Sequence, residues 1–317
     1  MSKLFVALLA LLCVSAVAGK YQLSFDFGKQ NFFDNWNFFT GNDPTNGHVK
    51  FVSQSEAKSA GLISTSGSNI YMGVDHTNNA TDGRRAVRLQ SKQAWSRALF
   101  VLVLPHMPGA ACGVWPAFWS NGPGTWPYGG EIDVLEGVNK LGTNQYTLHT
   151  GPNCQMPASR NMTGKWVQSN NCDNTMTASG GGGAGCAVGD QDGTFGSAFN
   201  KRGGGAIAYD IRDSGIRAWT FTKDTLPSDI RSDSIDTAQW PQPNAYFPFG
   251  SSCSADHFGA QTLIFDITFC GDWAGSNWVY NTQAACPGSC KDFVSYNPKA
   301  FSNTYWTIES LKVYQGN

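Results

Sequence analysis

Charged side chains are scarce. The 22 Lys and Arg and 23 Asp and Glu make up 14% of the 317 residues, where soluble domains average about 25%. The formal net charge is −1 and no basic tract occurs. Nucleic-acid binding and anionic-membrane binding therefore have no electrostatic basis. The shortage of Lys and Glu, set against 36 Gly, excludes coiled coils and long-helix proteins, and amphipathic helical periodicity is nearly absent. No apolar run reaches the roughly 20 residues of a membrane span. Zinc signatures are missing too: there is no HExxH, no clustered His and no C-x2-C pair. There is no P-loop and no G-x-S-x-G elbow. Gly180 to Gly185 fits G-x-G-x-x-G, but no strand pattern precedes it and no helix pattern follows, so it is not read as a dinucleotide site. The Asp-containing loops show no dense calcium-ligand pattern. Neither cofactor nor metal is expected.

Aromatics are abundant. With 11 Trp, 10 Tyr and 20 Phe, they form 13% of the chain, which excludes disorder. Met1–Ala18 reads as a secretory leader: Lys3 supplies the positive start, Leu4 to Val14 the apolar run, and Ala16-Val17-Ala18 the small-x-small cleavage pattern. Residues 19–317 are then expected to form one secreted domain, taken as a monomer. Cys13 falls in the leader. Cys112, Cys154, Cys172, Cys186, Cys253, Cys270, Cys286 and Cys290 remain, an even set that suits up to four disulfides in an exported protein, with the pairing left open. Asn79-Ala80-Thr81 and Asn161-Met162-Thr163 are candidate glycosylation sites at Asn79 and Asn161.

Short strand patterns recur between Gly, Asn, Pro and Ser. They include Ala98–Leu104, Gln145–Thr150, Ala206–Arg212, Ile216–Thr222, Thr262–Phe269 and Thr307–Tyr314. Several alternate apolar with polar residues, as a sheet with one face on the core requires. Cys290–Asn297, ahead of Pro298, suits one short helix. The Gly-rich stretch Gly180–Gly189 reads as a surface loop tethered by Cys186. Many short strands without a linker or repeat predict an all-β sandwich or barrel.

One segment carries chemistry: Gly130-Glu131-Ile132-Asp133-Val134-Leu135-Glu136-Gly137. On a regular strand Glu131 and Asp133 share a face and Glu136 points away. A β-bulge after Asp133 would return Glu136 to that face. Like charges so close push their pKa values apart, which supplies the ionised and protonated pair that glycoside hydrolysis needs. With a bulge, Glu131 and Glu136 lie ~13 Å apart at Cα. Side chains leaning together leave ~5–7 Å between carboxyl groups, nearer the retaining than the inverting spacing. A solvated acidic edge or a cation site shares the pattern. Trp115, Trp119, Trp126 and Tyr128 precede Glu131 closely, and aromatic faces stack on the C–H faces of sugars.

With those residues in view, the sequence resembles glycoside hydrolase family 16, in its secreted fungal laminarinase-type branch. The signature E-[IV]-D-x-x-E is carried by Glu131 to Glu136. Cys112-Gly113-Val114-Trp115-Pro116-Ala117-Phe118-Trp119, Trp126-Pro127, Thr147-Leu148-His149-Thr150, Phe269-Cys270-Gly271-Asp272-Trp273-Ala274-Gly275 and Cys286-Pro287-Gly288-Ser289-Cys290 are similar as well. The likeness runs from about residue 20 to the C-terminus, and the cysteine set resembles that branch's. The resemblance implies a β-jelly-roll sandwich of two antiparallel sheets with a concave glucan cleft. It also implies retaining endo-hydrolysis of β-1,3-glucan, often with β-1,4 bonds in mixed-linked chains. Under it, Glu131 is the nucleophile, Glu136 the acid and then base, and Asp133 their tuning neighbour. Trp115, Trp119, Trp126, Trp273, His149 and Arg88 are expected to meet substrate. Ser120–Thr125 departs from the acidic loop expected there, which bears on substrate preference. A non-catalytic β-glucan-binding protein and a transglycosylase on the same fold are the alternatives; the presence of all three acids argues against the first.

Overall fold

The computed structural model describes residues 19–166, 169–175 and 184–316. The expected leader with Cys13, and residues 180–183 of the Gly-rich stretch, lie outside them. Two large antiparallel sheets dominate. The seven-stranded sheet runs in the order Ser234–Asp236, Lys20–Asp26, Ser310–Gly316, Leu99–Leu104, Gly205–Arg212, Gly215–Thr222 and Ala245–Pro248. The eight-stranded sheet runs Lys165–Trp166, Cys186–Asp192, Thr143–His149, Glu131–Glu136, Val114–Asn121, Gln261–Phe269, Arg88–Trp95 and Trp36–Phe38. They pack face to face as a jelly-roll sandwich.

Period-two alternation decides which side chains fill the space between the sheets. Phe100, Leu102 and Leu104 face inward with Ile207, Tyr209 and Ile211; Phe118, Leu148, Leu263, Phe265 and Ile267 meet them from the other sheet. Phe118 stacks on Phe265 at 4.4 Å between ring centroids and meets Tyr209 of the opposite sheet edge-on at 6.5 Å. A second cluster, with Leu99, Val101, Val103, Ala206, Ala208, Trp219, Phe221 and Trp240, covers the outer face of the seven-stranded sheet. The Leu99–Leu104 strand is therefore buried on both faces, which explains its unbroken apolar run. The outer face of the eight-stranded sheet is left for a cleft.

Two expectations need correction. The stretch Gly180–Gly189 is not all loop: Cys186–Asp192 is a strand paired with Thr143–His149. Ala187 and Val188 give it enough apolar character to join the sheet, which the neighbouring glycines obscured. Thr307–Tyr314 is two strands, Tyr305–Ile308 in a small three-stranded sheet and Ser310–Gly316 in the large one, parted at Glu309. The expected helix forms as Cys290–Tyr296, with Ser289 capping Asp292 N, but Gln54–Ser59 and Gly196–Lys201 are helical as well. Both span barely more than one turn, too short to show a 3.6-residue period.

The eight cysteines pair as Cys112–Cys286, Cys154–Cys253, Cys172–Cys186 and Cys270–Cys290. Two of these tie the segment after the Gln261–Phe269 strand, which carries Trp273, to the sheet. No helix among the described residues is long and apolar enough to cross a membrane.

Phe118 is fully buried, stacked on Phe265 of the neighbouring strand and set against Tyr209 of the facing sheet, so Phe118→Ala is expected to lower unfolding free energy by about 3–5 kcal/mol. Denaturant titration of the two proteins measures it.

Candidate active site

The Glu131–Glu136 strand carries the bulge. Against Thr143–His149, Asp133 pairs with Thr147 but Glu136 with Gln145. Against Val114–Asn121, Asp133 pairs with Trp119 and Glu136 with Ala117. Three steps on the acidic strand thus match two on each neighbour. Val134 and Leu135 are both buried in the core, and Glu131, Asp133 and Glu136 all line one cleft of about 410 Å³. Its floor continues along the next strand through Trp115, Ala117, Trp119 and Asn121, every second residue. Ala117 opposite Glu136 is small and leaves the carboxyl room.

Each outer glutamate has an indole N–H. Trp126 Nε1 donates to Glu131 Oε2 at 2.9 Å, and Trp115 Nε1 donates to Glu136 Oε1 at 2.9 Å. His149 Nε2 lies 3.3 Å from Asp133 Oδ2 and 3.8 Å from Glu131 Oε1, while its Nδ1 meets Asn174 Oδ1 at 2.8 Å. Burial and the neighbouring Asp133 push Glu131 up to about 8, against the pull of His149 and the Trp126 N–H. Burial and Asp133 hold Glu136 well above the usual carboxylate range. Burial works against a charge on His149, but its bond to Asp133 and the nearby Glu131 raise it to about 10, so the ring is an imidazolium at neutral pH. That cation touches Glu131 and Asp133, not Glu136. The geometry consequently favours charge on Glu131 and a proton on Glu136. A metal could find three ligand atoms in Glu131, Asp133 and His149, all within 4.8 Å of one another. A cationic His149 is a poor ligand, and it already offers the positive charge a metal would bring.

The remaining expected residues spread along the cleft. Trp126 is 49% exposed at the Glu131 end, with a ring free to stack. Trp273 meets Trp115 edge-on at 5.6 Å, at the Glu136 end. Arg88 lines the cleft, with its guanidinium 5.0 Å from the centroids of both Trp119 and Phe39. It pairs with Asp266 at 3.6 Å. Asn79 and Asn161 are exposed and are not among the cleft-lining residues.

Asp266, Asp43, Asn121, Thr268 and Asp272 also line the cleft and were missed. Burial raises Asp266 to about 7 although Arg88 pulls it down. A signal for it existed: it sits on the non-core parity of the Gln261–Phe269 strand, where Leu263, Phe265, Ile267 and Phe269 turn inward. A carboxyl within so apolar a strand has to face something polar. Asp43 accepts from Thr268 Oγ1 at 2.5 Å and Thr45 Oγ1 at 2.9 Å; it arrives from a loop distant in sequence, and nothing local marked it.

Residues 36–314 match the family model described as XgeA-like, catalytic GH16 domain. A probable glycosidase of Schizosaccharomyces pombe is 46% identical over 304 residues, covering 94% of this chain and 70% of that protein. A probable endo-1,3(4)-beta-glucanase of Aspergillus fumigatus is 41% identical over 307 residues, covering 93% of this chain but only 45% of that protein. The chain thus spans under half the length of that relative. Among solved structures, laminarinase 16A from Phanerochaete chrysosporium, with β-glucans in both donor and acceptor sites, is 40% identical with a TM-score of 0.87. The match covers 93% of this chain and 100% of that one.

His149 stabilises the charged form of Glu131, so its loss must raise the glutamate's pKa. His149→Gln is expected to move the Glu131 titration midpoint up by about one unit or more. Carboxyl-carbon NMR of the two proteins reads the shift directly; a downward or absent shift would refute the electrostatic assignment.

Proposed function

This chain belongs to glycoside hydrolase family 16, and on that premise we propose that it is a secreted endo-β-1,3(4)-glucanase acting with retention of configuration. The single observation that carries the reading is the bulged strand that sets Glu131, Asp133 and Glu136 on one cleft floor beside exposed tryptophan. In this reading Met1–Ala18 is removed on export, and residues 19–317 act as one catalytic domain on β-1,3-glucan or mixed-linked glucan.

Glu131 attacks the anomeric carbon and forms the glycosyl–enzyme bond. Glu136 donates its proton to the departing glycosidic oxygen, then takes a proton from the water that releases the sugar. His149 and the Trp126 N–H offset part of the cost of charging Glu131 and make no such contact with Glu136, so of the two glutamates Glu131 is the one that gives up its proton and attacks as the carboxylate. Burial and Asp133 favour the protonated form of Glu136, the form a general acid needs. As the first step consumes the charge on Glu131, the repulsion that holds Glu136 protonated falls, and it becomes the better base the second step needs. Trp126, Trp119 and Trp273 offer faces for glucose rings, with Arg88 buried in the floor against Trp119.

Transfer to a sugar in place of water is the second reading. It is favoured by the glucan held in the acceptor site of laminarinase 16A, since any acceptor placed there meets the same intermediate.

Glu131→Gln is expected to lower laminarin hydrolysis by at least about a thousandfold while the variant still binds glucan. The first-formed product of the native enzyme is expected to be the β-anomer by proton NMR; early α-anomer would overturn retention. Trp126→Ala is expected to weaken oligosaccharide binding and leave the thermal midpoint nearly unchanged, because a half-exposed ring adds little to the core. Parallel digestion of laminarin, lichenan and cellulose, with product analysis, reads linkage preference and transfer together.

A further inference from the structure

We propose that Asn144 is a positioning residue for the reaction, the side chain that locks the bulge and so aims Glu136 into the cleft. Asn144 is wholly buried on the core-facing parity of the Thr143–His149 strand, where Tyr146 and Leu148 are its apolar companions. A buried amide there needs partners, and the partners are the two backbone groups that flank the extra residue. Asn144 Oδ1 accepts the Glu136 N–H at 2.9 Å. Asn144 Nδ2 donates to the Val134 carbonyl at 2.9 Å. Its own backbone N–H is held by Thr194 Oγ1 at 3.0 Å, and that hydroxyl donates in turn to the Gln191 carbonyl at 2.6 Å.

The geometry gives the amide a job that ladder pairing cannot do. Inserting one residue into a strand breaks the regular exchange of N–H and C=O with its neighbour. Here the mismatch falls between Asp133 and Glu136, and one carboxamide, which carries both an acceptor and a donor, bridges it. Without it, Val134 C=O and Glu136 N–H lose these partners at a largely buried position. The strand can recover ladder bonds by slipping one residue, and a slip of one turns side chains to the opposite face. Glu136 is the residue that such a slip removes from the cleft; Glu131 and Asp133 lie before the bulge and keep their register. Asn144 touches no substrate in this account and acts only through Glu136.

The inference rests on the reading of Glu136 as the acid, and the experiment separates the two. kcat/KM is measured for wild type, Asn144→Leu and Glu136→Gln on laminarin, whose leaving sugar needs a proton, and on 2,4-dinitrophenyl β-laminaribioside, whose leaving group does not. Asn144→Leu is expected to lose about a hundredfold on laminarin, the scale of a misplaced general acid, and no more than about threefold on the aryl glycoside. The basic limb of its laminarin pH profile should change while the acidic limb stays. An equal loss on both substrates, or none on either, overturns the positioning role. If Asn144→Leu does not accumulate as folded protein, Asn144→Asp, which keeps the acceptor for Glu136 N–H but not the donor to Val134, is read by the same ratio. Wild-type laminarin activity in Glu136→Gln would instead sink the acid assignment and leave the geometry of the bulge untouched.

Discussion

A strand offers alternate residues to alternate faces, and a catalytic pair separated by five residues cannot share a face on a regular strand. The insertion after Asp133 resolves this, and much of the molecule is arranged around it. Val134 and Leu135 both turn into the core, so the strand gains a second consecutive anchor where alternation would have sent one outward. Neighbours on both sides accept the extra residue without losing register beyond it. Ala117 opposite Glu136 and Trp119 opposite Asp133 then set the depth and width of the floor. The sandwich supplies what a bulge needs in order to persist: strands fixed on either flank, and a packed layer beneath that penalises slippage.

Gathering three carboxyls in one cleft is electrostatically costly, and the site limits that cost with neutral donors and a single cation. Indole N–H groups serve Glu131 and Glu136 separately, each on a side chain that also presents an apolar face to the cleft. His149 reaches only the Glu131 and Asp133 side. The asymmetry in donors becomes an asymmetry in protonation, which chemically equivalent glutamates otherwise lack. A second carboxylate–cation pair, Asp266 with Arg88, sits along the same floor with Trp119 beneath the guanidinium.

The sandwich was legible because its strands alternate strongly, and Glu131 with Asp133 followed from parity alone. Glu136 did not: it needed the assumption of a bulge, and family resemblance made that assumption specific. What a single sequence hides is anything set by contact between distant segments. Asp43 and Asp272 reach the cleft from loops, Cys186 turned out to open a strand, and the disulfide partners are up to 174 residues apart. Asp266 is the middle case: its strand is legible from the alternation, and only its position on the outward face of that strand points to a polar surface. Asn144 is similar: a polar residue at core parity is a local contradiction, and such contradictions often mark a functional requirement.

The aromatic excess divides along the same lines. Phe100, Phe118, Tyr209 and Phe265 bind the sheets together and face no solvent. Trp115, Trp119 and Trp126 come from a strand and the loop following it, but Trp273 lies on the four-residue helix Gly271–Ala274 that follows the Gln261–Phe269 strand. Cys270 immediately before that helix is bonded to Cys290, and Cys112 before the Trp115 strand is bonded to Cys286. These bonds close one loop segment beside the sheet, so the edge-on contact of Trp273 with Trp115 is held by covalent links as well as by the buried Phe269, Ala274 and Tyr280. A neutral polysaccharide gives a cleft few strong handles, and stacking rewards only rings held at the right spacing before the sugar arrives. Two disulfides beside that aromatic wall restrict the loop that carries Trp273, so loop order is expected to bear on glucan affinity as well as on stability.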